Sequence, residues 1–358
     1  MFVPTSRASA VLRIARFPIP RSPLQKAAWT KGKAYFYTGA ALMEYPIHQV
    51  LIPHTYALPS SSESGSSIPV NLLIPPTASP SSPCPLVLIM TGLDGYRTEL
   101  AVWQRGWLEK GVATLVVEIP GTGDSPALPN DPTSPDRQWS SVLDWLASSS
   151  GGREKGIDPS KIIVWGFSTG GYYALRIAHT HASQLLGSVS LGGGCHHMFD
   201  REWLDKINNL EYPFDLANTL AYKFGYGSSP EGLEKFKQEG QKKFSLLLDG
   251  TLARGDRDTS TQETQESQEG EGKKTSCKML LVNGEWDRIF PIEDLTLALK
   301  FGQKQNAPKK DMEARIVEGR WHMGEPESFV IILKWIHELL GLDGDWVSQM
   351  RGLGAKAK

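Results

Sequence analysis

Cysteine is scarce in this chain: Cys84, Cys195 and Cys277 are the only three in 358 residues. Their odd number and wide spacing argue against a disulfide framework or a thiolate zinc site and suit a reducing compartment. Long apolar runs are missing too. No stretch approaches the roughly 20 residues needed to span a bilayer, so no membrane span is expected. Net charge is close to zero, at −1 from 38 basic and 39 acidic side chains, which argues against a nucleic-acid binder held by phosphate contacts. Acidic residues are absent from the start of the chain. The first is Glu44, after Arg7, Arg13, Arg16 and Arg21, which is the bias of a mitochondrial transit peptide. However, Pro18, Pro20 and Pro23 interrupt a long amphipathic helix, and no apolar core of a secretory signal follows. The segment reads as a short structural helix near Ser9–Arg16, and a cytoplasmic location is the expectation. No internal repeat is visible.

What is present is 40% hydrophobic residues, enough for a large α/β domain with a cap. Residues 24–45 read as a helix. Ile47–Tyr56 and Ser67–Ile74 read as two strands around a Ser-rich turn. Leu86–Met90 is a short continuous apolar run, as in a strand buried on both faces. Strands over Ala113–Glu118, Ile162–Trp165, Leu185–Leu191, Lys278–Asn283 and Glu313–Glu318 alternate with helices over Glu99–Lys110, Gln138–Ser148, Leu295–Gly302 and Pro326–Leu340. In the last helix Phe329, Ile332, Leu333 and Ile336 share one face. This alternation predicts an α/β class with a mostly parallel sheet covered on both sides by helices.

Two stretches break the alternation. Cys195–Gly250 carries Phe199, Trp203, Tyr212, Phe214, Tyr222, Phe224, Tyr226 and Phe244. These rings either line a pocket for a flat substrate or fill a small core of their own. Asp256–Thr275 is almost wholly polar and is expected to be disordered. The expected organisation is an N-terminal helical segment 1–45 (a shortened cap), core 46–194, cap 195–253, polar insertion 254–276, core 277–342 and tail 343–358.

The chemistry centres on Gly166-Phe167-Ser168-Thr169-Gly170. It follows an apolar strand and opens a helical segment, the context of a nucleophile elbow. A serine hydroxyl needs a base within hydrogen-bond reach, and the base needs an orienting acid. With chain order Ser, then acid, then His, the turn Gly284-Glu285-Trp286-Asp287-Arg288 offers Asp287, with Glu285 as competitor. Gly319-Arg320-Trp321-His322-Met323-Gly324 offers His322 as the base. The oxyanion needs two donors. One is the N–H of Thr169; the other comes from Thr91-Gly92-Leu93-Asp94-Gly95-Tyr96-Arg97, from Leu93 or Gly92. Asp94, Tyr96 and Arg97 either orient substrate hydroxyls or stabilise the turn. His196 and His197, after Gly192-Gly193-Gly194, are candidates for substrate contact. No metal is expected there, because no carboxylate or Cys pattern completes a site. His48, His54, His179, His181 and His337 read as ordinary core or surface histidines. Gly121-Thr122-Gly123 is similar to a phosphate loop, yet no Gly-Lys-Ser/Thr follows. No nucleotide and no cofactor is expected.

Several longer motifs carry a resemblance. They are Leu88-Ile89-Met90-Thr91-Gly92-Leu93-Asp94-Gly95-Tyr96-Arg97, Glu118-Ile119-Pro120-Gly121-Thr122, Asp131-Pro132-Thr133-Ser134-Pro135-Asp136-Arg137 and Gly170-Gly171-Tyr172-Tyr173-Ala174. Gln241-Lys242-Lys243-Phe244-Ser245, Pro291-Ile292-Glu293-Asp294 and His322-Met323-Gly324 also fit. Over about residues 9–340 the chain resembles the fungal yellowish-green-type heptaketide hydrolases of conidial and melanin pigment pathways. The resemblance implies an α/β-hydrolase fold with a helical cap and a Ser168, Asp287, His322 triad. It also implies a small-molecule aromatic polyketide as partner, shortened by retro-Claisen cleavage to tetrahydroxynaphthalene. A carboxylesterase or thioesterase with the same triad, or a non-catalytic binding protein, is the alternative. The chain departs from the family in its shorter N-terminal region, in the polar insertion, and in Trp286 and Trp321 beside the acid and base. The oligomeric state is left open, a homodimer included.

Overall fold

The computed structural model describes residues 2–252 except 209 and 213, together with 276–302 and 311–342. Two helices come first, α1 (Phe2–Arg16) and α2 (Pro23–Ala40). The Arg-rich start is thus a longer helix than the turns around Ser9–Arg16 that the sequence indicates. Helix α2 starts where Ser22 and Gln25 form a reciprocal capping box and Pro23 occupies the first turn, where its missing N–H costs nothing.

Strands β1 (His48–Pro53) and β2 (Ser67–Leu73) follow, then β3 (Cys84–Met90), α3 (Ala101–Leu108), β4 (Ala113–Val117), α4 (Ser134–Ala147), β5 (Ile157–Phe167), α5 (Thr169–Thr180) and β6 (Gly187–Leu191). Helices α6 (Arg201–Lys206), α7 (Leu216–Lys223) and α8 (Pro230–Phe244) interrupt the alternation, which resumes with β7 (Lys278–Gly284), α9 (Glu293–Gly302), β8 (Met312–Val317) and α10 (Glu327–Leu340). The eight strands form one sheet in the order β1-β2-β4-β3-β5-β6-β7-β8. The pairs β1–β2 and β2–β4 are antiparallel, and β3 to β8 run parallel. This is the α/β-hydrolase fold.

The central strands read as continuous apolar runs because both their faces are covered. Leu86, Leu88 and Met90 point to the side of Trp139 and Leu143 on α4. Val87 and Ile89 point to the side of Trp107 on α3 and Ile332 and Ile336 on α10. Among the described residues no helix is long and apolar enough to cross a membrane.

Cap aromatics divide into two groups. Phe199, Phe224, Phe236 and Phe244 are buried against one another and against Tyr172 of α5, so they form the cap's own core and its seam with the sheet. Tyr212 and Phe214 remain partly exposed and stack with centroids 5.3 Å apart. The expected insertion 254–276, save Ser276, and the tail 343–358 lie outside the described residues.

Candidate active site

Strand β5 ends at Phe167 and α5 begins at Thr169, leaving Ser168 alone in the turn with φ 53° and ψ −122°. A non-glycine residue at positive φ costs about 1–3 kcal/mol and persists only where its surroundings enforce it. Here Ser168 N–H donates to Leu191 O at 2.7 Å, and Gly171 N–H donates to Ser168 O at 2.7 Å. Gly170 is needed for space: a Cβ there would stand 2.4 Å from Thr91 O and 2.7 Å from Met90 O. The elbow is therefore wedged against the end of β3.

Two loops beyond the C-terminal ends of the sheet complete a line of side chains. His322 lies in a single helical turn after β8, with Nε2 2.8 Å from Ser168 Oγ and Nδ1 2.8 Å from Asp287 Oδ2. Asp287 lies after β7. Its Oδ1 accepts from the N–H groups of Ile289 (2.6 Å) and Phe290 (3.0 Å), and its Oδ2 also accepts from Asn283 Nδ2 (2.6 Å). The tautomer with Nδ1–H donating to Asp287 leaves Nε2 free to take the serine proton. Glu285, the competing acid, is spent on the Gly319 N–H at 2.9 Å on the surface.

Burial disfavours the imidazolium of His322. The charge and hydrogen bond of Asp287, helped by the carboxylates of Glu211 and Asp94, outweigh that penalty and hold its pKa above the ordinary value. Glu211 and Glu325, both near His322, have pKa values raised by burial. Tyr212 and Phe290 present edges to the imidazole at 6.4 and 5.6 Å. Trp286 and Trp321 are half-exposed and meet each other edge to face at 6.0 Å.

The loop after β3 closes on Ser168. A Cβ at Gly92 would lie 3.2 Å from Phe167 O and 3.3 Å from Ser168 Cβ, tight enough that a larger residue would push the loop and the elbow apart by a few tenths of an ångström. Leu93 follows it, buried, and Thr169 is buried at the first position of α5. Asp94 is half-buried and bears electrostatically on His322.

Tyr96 and Arg97 depart from the reading that they orient substrate. Tyr96 is fully buried, with the Arg16 guanidinium 3.6 Å from its ring centroid and Trp29 edge-on at 5.0 Å. Arg97 is buried too. Its Nη1 pairs with Glu118 at 2.6 Å, its Nη2 with Asp124 at 2.7 Å, and its Nε donates to Tyr37 at 3.2 Å. A buried guanidinium is stable only when so paired, and both side chains serve the loop's own structure. Removing one partner leaves the other charge bare. Arg97→Met is expected to lower unfolding free energy by about 3–5 kcal/mol, measured by urea titration; a loss below about 1 kcal/mol would show the ion cluster to be dispensable.

His196 and His197 are likewise engaged locally. His196 Nδ1 lies 2.7 Å from Ser245 Oγ, and His197 Nδ1 lies 2.8 Å from Asp200 Oδ2. The expectation that no carboxylate joins them is corrected by Asp200, which sits on the next turn and brings one within reach of both rings. Asp294 of α9 accepts from the backbone N–H groups of Cys195, His196, His197 and Met198 and fixes the chain where it leaves the sheet.

Two contributors were not legible as site residues. Asn283 Oδ1 accepts from Gly284 N (2.9 Å) and Met323 N (3.1 Å) while its amide donates to Asp287. Glu211 of the cap accepts from the His322 N–H at 3.1 Å. A polar residue at a buried strand end was the available signal for Asn283; nothing local marks Glu211.

An elbow serine, an imidazole and a carboxylate in one hydrogen-bonded line on this sheet define an α/β hydrolase of the serine-hydrolase type. The chain belongs to the FrsA-like esterase family, whose model matches residues 49–261. Esterase FrsA of Vibrio cholerae serotype O1 (strain M66-2) is 24% identical over 262 residues, which cover 72% of this chain and 54% of that protein. Esterase FrsA of Yersinia pestis (strain Pestoides F) is 27% identical over 178 residues, or 49% and 39% of the two chains. The chain thus spans about half the length, or less, of these curated relatives. Among solved structures, AbyA5 superposes with a TM-score of 0.69 at 19% identity, covering 95% of this chain and 84% of its own. The 2,6-dihydroxy-pseudo-oxynicotine hydrolase gives 0.66 at 18%, covering 94% and 79%. An esterase of Pyrobaculum calidifontis gives 0.56 at 15%, covering 92% and 97%. At these identities the likeness is one of fold.

Proposed function

We propose that this hydrolase shortens an acylated, hydroxylated aromatic polyketide by retro-Claisen cleavage, with Ser168 as nucleophile, His322 as base and acid, and Asp287 orienting the imidazole. The observation that carries the chemistry is the 2.8 Å contact on each side of the His322 ring. The polyketide reading draws on the motif resemblance. It is supported by the stacked Tyr212–Phe214 pair beside His322, which suits a flat substrate, and by Asp94 and Glu211, whose charges disfavour a carboxylate substrate.

Ser168 Oγ attacks the side-chain ketone as His322 Nε2 takes its proton. The N–H groups of Thr169 and Leu93 hold the resulting oxyanion, each worth roughly 3 kcal/mol. The carbon–carbon bond then breaks, and its electron pair enters the hydroxylated ring, which can hold it as an enolate. His322 returns the proton to the ring carbon. Water, deprotonated by the same imidazole, hydrolyses the acyl-serine and restores the hydroxyl.

Membership of an esterase family favours a second reading, ester hydrolysis by the same groups. Mass detection of products from an acylated tetrahydroxynaphthalene and from an ester panel separates them. Carboxylic acid plus a ring C–H is expected from the first substrate. Turnover of esters alone, to acid and alcohol, would leave the esterase reading.

A further inference from the structure

We propose that Arg16 of α1 is a positioning residue that clamps the oxyanion loop, so the N-terminal helix is a working part of the active site. The proposal rests on the Ser168 chemistry above. Arg16 is 1% exposed although it ends a surface helix. Its Nη1 donates to the carbonyl of Asp94 at 2.8 Å and to that of Pro18 at 3.3 Å. Nη2 pairs with Glu99, and the guanidinium plane lies on Tyr96. One side chain from the start of the chain thus grips three points, residues 94, 96 and 99, on the segment that presents Leu93 to Ser168.

That segment needs an external anchor. Between the end of β3 and the start of α3 it has no strand partner, and its backbone is tied to the rest of the fold at Thr91 N, which donates to Val117 O, and at Arg97, whose N–H donates to Glu118 Oε1 and whose carbonyl accepts from Asn71 Nδ2. These contacts lie to the sides of Leu93–Asp94. The Arg16 bond to Asp94 O sits on the residue next to the proposed donor and fixes the peptide plane through which the loop turns. An oxyanion donor acts only when aimed at the developing charge, and a shift of about 1 Å in a catalytic group can cost 100-fold in rate. A lysine at position 16 would keep the charge on Glu99 but lose the planar fork that serves carbonyl, carboxylate and ring together.

The test uses the full chain and three variants. Arg16→Met is expected to lower kcat about 10- to 100-fold, per folded molecule as counted by circular dichroism, with KM changed less than about twofold. Affinity for a trifluoromethyl ketone, which forms a tetrahedral adduct on Ser168, should fall by a similar factor. Arg16→Lys should recover part of the rate. Arg13→Gln removes the other α1 arginine from Glu99 while the Arg16 contacts with Asp94 O and Tyr96 stay in place, and should leave kcat unchanged. A folded Arg16→Met with wild-type kcat and adduct affinity would overturn the clamp, as would equal losses in Arg13→Gln and Arg16→Met. If Arg16→Met yields too little folded protein, Arg16→Lys decides by the same two readouts, and unchanged values there overturn the clamp. If Ser168→Ala still turns substrate over, the underlying reading fails instead, and the two failures are told apart.

Discussion

Ser168→Ala is expected to reduce kcat by about 10⁵- to 10⁶-fold, the scale on which a hydrolase loses its nucleophile. The exchange removes one oxygen that bonds the His322 Nε2 and leaves the remaining contacts of the elbow in the backbone. Unfolding free energy should therefore change by less than about 1 kcal/mol. Residual turnover would come from the oxyanion donors and binding alone. Fluorophosphonate labelling, which requires the activated hydroxyl, should vanish along with catalysis. Labelling or turnover that survives in the variant would remove Ser168 from the mechanism.

Asp287→Asn is expected to cost about 10⁴-fold in kcat while preserving the fold, because it reverses the polarity at one carboxylate oxygen. The carboxylate accepts four hydrogen bonds, from two backbone N–H groups, from Asn283 and from His322. An asparagine that keeps its oxygen toward Ile289 and Phe290 turns its NH₂ toward two donors. The imidazole must then accept at Nδ1 and carry its proton on Nε2, facing Ser168, where it cannot serve as a base.

The same exchange should displace the pH profile. In the native protein the raised His322 pKa is expected to place the acid limb of kcat/KM above 6.5, the ordinary value, with activity declining as pH falls through it. Without the carboxylate the limb should move down. The sign for stability is opposite. A pKa raised on folding stabilises the native state fully below 6.5, and that contribution disappears as pH rises through the folded value. Activity and this part of stability therefore trade against each other over one pH window. An acid limb in Asp287→Asn at the native position would refute the assignment of the shift to Asp287.

Much of the framework was legible because local pattern and long-range packing coincide. Val87-Leu88-Ile89 is apolar because both faces of β3 are buried, and Ser168 announces itself through flanking glycines: a Cβ at Gly166 would meet Gly170 O, and one at Gly170 the carbonyls of Met90 and Thr91 at the end of β3. Element limits were less legible. β5 begins at Ile157 rather than Ile162: Ser160 and Lys161 are exposed and lie within a shift in register against β3, between the pairs Ile157–Cys84 and Ile162–Leu86, so no apolar run marks this stretch. Tyr96 and Arg97 were ambiguous for another reason. A polar side chain next to an oxyanion loop looks the same in sequence whether it meets substrate or a buried carboxylate. The partners that decide it, Glu118, Asp124 and Arg16, are 21 or more residues away in the chain for all but a local reading. Glu211 reaches His322 across 111 positions, and no periodicity reports such a contact.

Asn283 fastens the acid loop to the base loop from the end of a strand whose side chains alternate between two faces. Inserting or deleting one residue in β7 would swing that amide to the opposite side of the sheet and free both loops at once. The length of β7 up to Asn283 is thus expected to be as constrained as the identity of Ser168, Asp287 and His322, and length changes should be tolerated only before β7 or beyond Phe290, because the Ile289 and Phe290 N–H groups hold Asp287.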